Sequence, residues 1–239
     1  MEVPDLQNER CGLIVAVDTR TINEARDFLM RLDKATQYVK IGPRLYAQGG
    51  ANFLKEIIDM GYKLFLDLKL HDIPNTVAIA CEPLAGLGLW ALTVHTSGGH
   101  EMMARAVQAR DKAGSEMKLL GITVLTSLGG ELWNEVHPGC DMNLALEARA
   151  AAAERAGLDG IVCSPLDLDL LKGRAAKLLR IVPGIRTEKV STEDQTRVAT
   201  PRGAARDGAD YIVVGRPILE AADPVDAAKK IISALSEER

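Results

Sequence analysis

The chain of 239 residues lacks the features that mark several large protein classes. Aromatic residues make up only 4% of it, so its core must be built mainly from aliphatic side chains. No apolar run approaches the roughly 20 residues that span a bilayer. The polar start, MEVPDLQNER, is unlike a secretory signal. We therefore expect a cytoplasmic globular protein that does not contact a membrane.

Close pairs of metal-binding or disulfide-forming residues are also missing. The four cysteines are far apart in sequence, which suits neither a zinc site nor a disulfide framework: Cys11, Cys81, Cys140 and Cys163. The four histidines lack the spacing of metal ligands on one helix. We expect no protein-bound metal.

The chain has only a small net charge. The net charge is −4 and the isoelectric point is about 5.7, which disfavours a broad nucleic-acid surface. A local basic site for one phosphate group is compatible with this balance.

The chain contains no low-complexity tract and no flexible linker, and one pattern recurs along it. An aliphatic run is followed by a polar loop, an amphipathic helix and the next run. The runs cover residues 13–17, 38–42, 63–68, 90–95, 119–125, 160–164, 178–183 and 211–215. Near-continuous apolar runs are typical of parallel strands covered on both faces. Eight such units predict a single-domain (β/α)8 TIM barrel over residues 1–239. A doubly wound open sheet is the alternative, but a nucleotide-type glycine loop is lacking.

The stretch FLDLKLHDIPNT, residues 65–76, places charges inside a predicted strand. Side chains alternate along a strand, so Asp67 and Lys69 share the inward face at about 6.6 Å along the strand. Asp72 follows just past the strand end, where catalytic residues of such barrels cluster. A structural ion pair at the barrel mouth is the simpler interpretation.

Neighbouring strand ends favour chemistry over that simpler interpretation. The first strand ends in Asp18 and the second carries Lys40. Charges that are desolvated together are costly unless they compensate one another or perform chemistry. We therefore predict a charged reaction centre.

The last two strand ends predict a phosphate site. The eighth strand ends in Gly215 and Arg216, and barrels often bind phosphate at strands seven and eight. The seventh runs into a long polar loop that contains Arg186 and Gln195, and such loops are often lids. Local sequence alone equally allows Arg186 to be a solvated cation and Gln195 to form a capping box with Thr192.

These residues closely resemble the orotidine 5′-phosphate decarboxylase family. The segment DLKLHDIPNT matches the D-x-K-x-x-D array of that family. Further matching segments are AVD at 16–18, VKIG at 39–42, VHTSGG at 94–99, VLTSL at 124–128, PGIR at 183–186, DQTRVATP at 194–201 and VGRPI at 214–218. The resemblance covers nearly the whole chain and implies a stand-alone enzyme that makes uridine 5′-phosphate without a cofactor.

The resemblance also implies residue roles. Lys69 would protonate C6 of the pyrimidine while Asp67 lies beside the departing carboxylate. Lys40 and Asp72 would complete an alternating charge network, with Asp72 supplied by the second subunit of a homodimer.

The remaining roles concern the ribose, the pyrimidine and the phosphate of this nucleoside monophosphate. Asp18 and Lys40 resemble the ribose contacts of the family, while the partner's Thr76 and the Thr126–Ser127 turn would hold ribose-phosphate and pyrimidine. The phosphate side would be bound by four residues: Arg186, Gln195, Gly215 and Arg216.

Two alternatives differ in what they need from these positions. A magnesium-dependent barrel that decarboxylates a 3-keto sugar phosphate shares the D-x-K-x-x-D array. It needs a carboxylate near the second strand, where this chain has Lys40. A non-catalytic barrel that binds a phosphorylated metabolite predicts loss of the proton donor, but Lys69 is present.

Overall fold

The structure, a computed structural model, describes residues 11–186 and 199–236. Eight parallel strands lie side by side in chain order, and the last pairs with the first to close a barrel. The strands are β1 (Gly12–Ala16), β2 (Tyr38–Ile41), β3 (Lys63–Leu70), β4 (Ala91–His95), β5 (Lys118–Ile122), β6 (Gly160–Val162), β7 (Leu179–Val182) and β8 (Tyr211–Val214). The predicted (β/α)8 barrel is confirmed, and the open-sheet alternative is wrong.

Helices follow the strands around the barrel. In the part of the chain that the structure describes, they are α1 (Ile22–Leu32), α2 (Pro43–Asp59), α3 (Pro74–Ala85), α4 (Gly99–Lys112), α5 (Gly130–Val136), α6 (Met142–Arg155), α7 (Pro201–Arg206), α8 (Arg216–Leu219) and α9 (Pro224–Ser236). Within those residues, no helix is both long and apolar enough to cross a membrane.

Strand alternation divides the core into two parts. Leu64 and Leu66 of β3 are fully buried in the shell between strands and helices, whereas Phe65 packs in the barrel interior. The interior cluster consists of Ile14, Ala16, Tyr38, Phe65, Ala91, Leu120, Ile181 and Val213. The predicted alternation along β3 is confirmed for these residues, and the inward positions beyond Phe65 are therefore free to carry polar groups.

The carboxyl end of β3 departs from regular strand geometry. Leu66 pairs with Leu92 and Leu70 pairs with Val94, so β3 carries two more residues than β4 between these pairings. Lys69 lies in this bulge and has a φ of 53°, which is uncommon for a residue with a side chain. Bulges re-aim side chains, and this one lies where the sequence places its charged array.

Candidate active site

A cavity of about 510 Å³ lies at the carboxyl end of the barrel. Eight of the residues that the sequence singles out line it: Asp18, Lys40, Asp67, Lys69, Thr126, Arg186, Gly215 and Arg216. They come from the ends of β1, β2, β3, β7 and β8 and from the loop after β5. Closure of the barrel therefore brings together groups that are up to 198 positions apart in sequence, as Asp18 and Arg216 are.

Four charges in this cavity alternate in sign. Lys69 Nζ lies 2.8 Å from Asp67 Oδ2, and Lys40 Nζ lies 3.6 Å from the same oxygen. Lys40 Nζ also donates a hydrogen bond of 3.3 Å to Asp18 Oδ1. The side chains of Lys40 and Asp67 are each only 12% exposed, whereas Lys69 is 38% exposed. The ammonium group of Lys69 is thus held by a buried carboxylate and still faces open space.

The environment of Asp67 favours its ionised form. Burial acts to raise the pKa of this carboxyl, but the two ammonium groups of Lys40 and Lys69 and hydrogen bonds from Lys69 and Thr93 outweigh it. The net result is a pKa below the ordinary value. Asp67 is therefore a fixed negative charge beside the Lys69 ammonium at neutral pH.

Thr93 is a polar residue of this site that the sequence reasoning missed. Its Oγ1 donates a hydrogen bond of 2.9 Å to Asp67 Oδ1 and accepts one of 2.8 Å from the Lys69 backbone N–H. The signal that would have revealed it is the alternation of side chains along β4. Ala91 faces the barrel interior, so Thr93, two residues further on, faces inward as well. A threonine in a strand, however, is unremarkable without knowledge of what opposes it.

Besides the charged groups, the cavity has an aliphatic part to its lining. It is formed by Ile122, Val124, Val162 and Val213. A cavity lined by both charged and aliphatic side chains suits a ligand that has an apolar part and a charged substituent.

The ends of β7 and β8 provide the basic side of the cavity. Gly215 precedes α8, and Arg216 is the first residue of that short helix. Arg186, just after β7, lines the same cavity. Gln195 and the polar loop predicted as a lid lie outside the described residues.

Three other predicted site residues are exposed and do not line the cavity: Asp72, Thr76 and Ser127. Asp72 Oδ1 accepts a hydrogen bond of 2.7 Å from the Ile73 N–H at the start of α3. A single chain thus leaves Asp72 and Thr76 on its surface, beside the cavity-lining strand β3. The sequence prediction assigned both to the neighbouring subunit's site.

Metal ligands do not cluster near these charges. Across residues 11–186 and 199–236, no three side chains of His, Cys, Asp or Glu converge to hold a metal ion. In the charged row itself, Lys40 lies between Asp18 and Asp67, and an ammonium at that point opposes a divalent cation.

Comparison with known proteins agrees with this geometry. The family model described as "Orotidine 5′-phosphate decarboxylase / HUMPS family" matches residues 12–231. An orotidine 5′-phosphate decarboxylase from Opitutus terrae is 43% identical over 226 residues, which cover 94% of this chain and 98% of the relative. One from Pseudomonas putida is 40% identical and covers 92% of this chain and 95% of its own length.

Solved structures are similar over the same extent. The crystal structure of orotidine 5′-phosphate decarboxylase from Lactobacillus acidophilus matches with a TM-score of 0.82 and 36% identity, covering 95% of this chain and 99% of that one. An uncharacterized conserved protein from Geobacillus kaustophilus matches with a TM-score of 0.81 and 32% identity, covering 93% and 99%.

Proposed function

Since the chain belongs to the orotidine 5′-phosphate decarboxylase / HUMPS family, we propose that Lys69 protonates C6 of orotidine 5′-phosphate as carbon dioxide leaves. The chain is a carboxy-lyase of uridine 5′-phosphate biosynthesis, and its relatives carry the name orotidine 5′-phosphate decarboxylase. The proposal concerns how its residues perform that step. The observation that carries it is the alternating row of Asp18, Lys40, Asp67 and Lys69 in one cavity.

The difficulty of the reaction lies at C6. When the bond between C6 and the carboxylate breaks, its electron pair stays on an sp² carbon that no ring carbonyl delocalises by simple conjugation. A fixed ammonium at that carbon stabilises the developing charge and then delivers a proton to it. Lys69 is the cation for this role because it is both anchored by Asp67 and open to the cavity.

Asp67 has two effects on this step. Its negative charge holds the Lys69 ammonium group at 2.8 Å, beside the place where the proton is needed. It also replaces water beside the substrate carboxylate, so that carboxylate lies next to a like charge until it leaves as neutral carbon dioxide. Lys40 compensates the buried Asp67 from the other side, at 3.6 Å.

The rest of the substrate is held away from the reacting carbon. Asp18 and Lys40 contact the ribose, and the Thr126–Ser127 turn contacts the pyrimidine through Thr126, which lines the cavity. Arg186, Gln195, Gly215 and Arg216 bind the phosphate. Binding energy from a remote phosphate orients the ring against Lys69, which raises turnover rather than affinity alone.

We propose that no metal takes part. A magnesium-dependent enzyme acting on a 3-keto sugar phosphate would stabilise an enediolate, and it would need a carboxylate where Lys40 lies. Lys40 instead pairs with Asp18 and Asp67. A cytoplasmic location stays a prediction of the sequence.

The proposal includes a homodimer with shared sites. Asp72 and Thr76 are exposed next to β3, and Ile73 and Ile79 on the same segment are 67% and 61% exposed. Apolar side chains that are exposed together often mark a protein interface. In a two-fold dimer this surface would place Asp72 and Thr76 of one subunit at the cavity of the other.

The test is to follow pyrimidine absorbance while the purified protein acts on orotidine 5′-phosphate, before and after exhaustive treatment with EDTA. We expect turnover that is unchanged by the chelator. Activity that disappears with EDTA and returns with magnesium contradicts metal independence. A folded sample that binds uridine 5′-phosphate yet leaves the substrate unchanged contradicts the proposed function.

A further inference from the structure

We infer that Thr93 is a positioning residue that holds the Lys69 backbone and the Asp67 carboxylate in one fixed arrangement. The inference rests on the proposed function of Lys69 and Asp67. Thr93 belongs to a different strand, β4. Its side chain contacts neither the ammonium group of Lys69 nor the open space of the cavity. Thr93 is fully buried.

The Lys69 backbone is the first group that Thr93 holds. Because β3 has two extra residues opposite β4, the Lys69 N–H is outside the regular ladder of this strand pair. The Thr93 hydroxyl accepts this N–H at 2.8 Å. Lys69 also has the left-handed φ of 53°, a conformation that persists only when its surroundings hold it. Thr93 is a neighbour that supplies such a constraint.

The Asp67 carboxylate is the second group. A hydroxyl has one proton to donate and can accept at the same time. Since the Lys69 N–H occupies its acceptor side, the single proton of Thr93 is directed to Asp67 Oδ1 at 2.9 Å. Asp67 Oδ2 is left for the ammonium groups of Lys69 and Lys40. One hydroxyl therefore determines both which oxygen of Asp67 faces the lysines and where the chain of Lys69 runs.

The chemical consequence is a fixed distance between the Lys69 ammonium group, which donates the proton, and the Asp67 carboxylate, which anchors it. Without the hydroxyl, the Lys69 N–H loses its partner, and Asp67 loses a hydrogen bond that favours its ionised form. The carboxylate would rotate and the bulge would relax, so the Lys69 ammonium would no longer be held at the reacting carbon. Contacts to phosphate and ribose come from other strands and would remain.

The test compares Thr93→Val with Thr93→Ser. Valine keeps the size and branching of threonine but has no hydroxyl, so we expect kcat to fall about 10- to 100-fold. KM and the affinity for uridine 5′-phosphate, which lacks the reacting carboxylate, should change little. Serine restores the hydroxyl, so Thr93→Ser should regain most of the lost kcat. If Thr93→Val does not fold, Thr93→Ala removes the same hydroxyl and the same result is expected.

Thr36 offers a matched control. It is also buried, its hydroxyl donates to the Leu13 carbonyl at 2.7 Å, and it accepts the Tyr38 N–H at 3.3 Å. Thr36→Val removes the same kind of paired hydroxyl away from the charged row, and it should lower stability while leaving kcat unchanged.

Three results would overturn the inference. Wild-type kcat in Thr93→Val means that the hydroxyl positions nothing. Equal losses in Thr93→Val and Thr93→Ser mean that side-chain packing matters and the hydroxyl does not. Inactivity of the wild-type protein on orotidine 5′-phosphate removes the proposed function together with this inference, whereas either of the first two results leaves that function standing.

Discussion

Lys69 and Arg216 line one cavity, and we propose two different uses for their positive charges. Lys69 is tied to Asp67 at 2.8 Å and its position is set by the backbone bulge of β3. Arg216 begins α8, just after β8, and is exposed. A cation fixed by a buried partner is suited to a reacting atom, whereas an exposed guanidinium is suited to grip a phosphate before the reaction begins.

This contrast predicts different kinetic losses for the two residues. Lys69→Ala removes both the proton and the charge at C6, so kcat should fall at least about 1,000-fold. Arg216→Ala should mainly raise KM, by about 10- to 100-fold, because it removes a remote anchor of the substrate. Steady-state kinetics of both variants on orotidine 5′-phosphate measure the split.

Lys63 is the control for Lys69, since it is a lysine at the other end of the same strand, β3. Lys63→Ala should keep wild-type kcat. Near-normal turnover in Lys69→Ala would show that the proton comes from another group.

At the scale of strands and helices, the regular part of the fold could be predicted from the sequence. Aliphatic runs fix where strands lie, and alternation along β3 puts Asp67 on the inward side with Phe65. Patterns of this kind place a residue on an element and on one of its faces. The eight cavity-lining residues that the sequence singled out were all found in this way, because each lies at or just after the end of a predicted strand.

The irregular part could not be predicted in the same way. The bulge between Leu66 and Leu70 depends on how β3 meets β4, and no local pattern in β3 encodes its partner. Thr93 could not be identified for the same reason, because its importance lies in the two groups that it contacts across strands. Asp72 and Thr76 are exposed in one chain, so their proposed role depends on a second chain.

Strands β6 and β7 approach each other closely at Gly160, which predicts that a larger residue there destabilises the fold. A Cβ added at Gly160 would lie 2.7 Å from the Leu179 carbonyl oxygen and 2.8 Å from Leu120 Cδ2. The first of these atoms is backbone, so the strands must move apart. Gly160→Ala should therefore lower the free energy of unfolding by about 1–3 kcal/mol, as overpacking of a core does. Urea unfolding measures the change.

Gly86, after α3, provides the comparison. Its φ is −75°, and an added Cβ would meet only the Pro83 carbonyl oxygen, at 3.6 Å. Gly86→Ala should change stability by no more than about 0.5 kcal/mol. Equal stability of Gly160→Ala and Gly86→Ala would mean that the β6–β7 contact is more tolerant than its geometry indicates.

At the scale of the whole molecule, the surface around the β3–α3 turn combines exposed apolar side chains with two histidine rings beside the charged cavity. Ile73 and Ile79 are exposed there, and the rings of His71 and His95 stack with centroids 5.0 Å apart. Burial, together with the electrostatic influence of His71, Arg149, Lys69 and His137, lowers the pKa of His95 to about 4. His95 is therefore neutral at pH 7, which suits a surface that becomes buried between subunits.

The proposed dimer predicts that inactive subunits complement one another. In the proposed dimer, Lys69→Ala and Asp72→Ala should each inactivate every site of their own dimers. In a mixed dimer, one site collects both defects and the other collects neither, because Lys69 comes from the barrel and Asp72 from the partner. Random exchange makes about half of the dimers mixed, so about a quarter of all sites regain wild-type composition. Activity on orotidine 5′-phosphate should rise towards that fraction as the subunits exchange.

A second mixture separates this result from a general effect of mixing. Lys40 and Lys69 both contact Asp67 within one chain, so a Lys40→Ala subunit paired with a Lys69→Ala subunit leaves each site with one defect. That mixture should stay inactive while the first recovers. If exchange is verified by labelled subunits and neither mixture gains activity, Lys69 and Asp72 serve the same chain's site. If both mixtures recover equally, the gain does not come from sharing Asp72 across the interface.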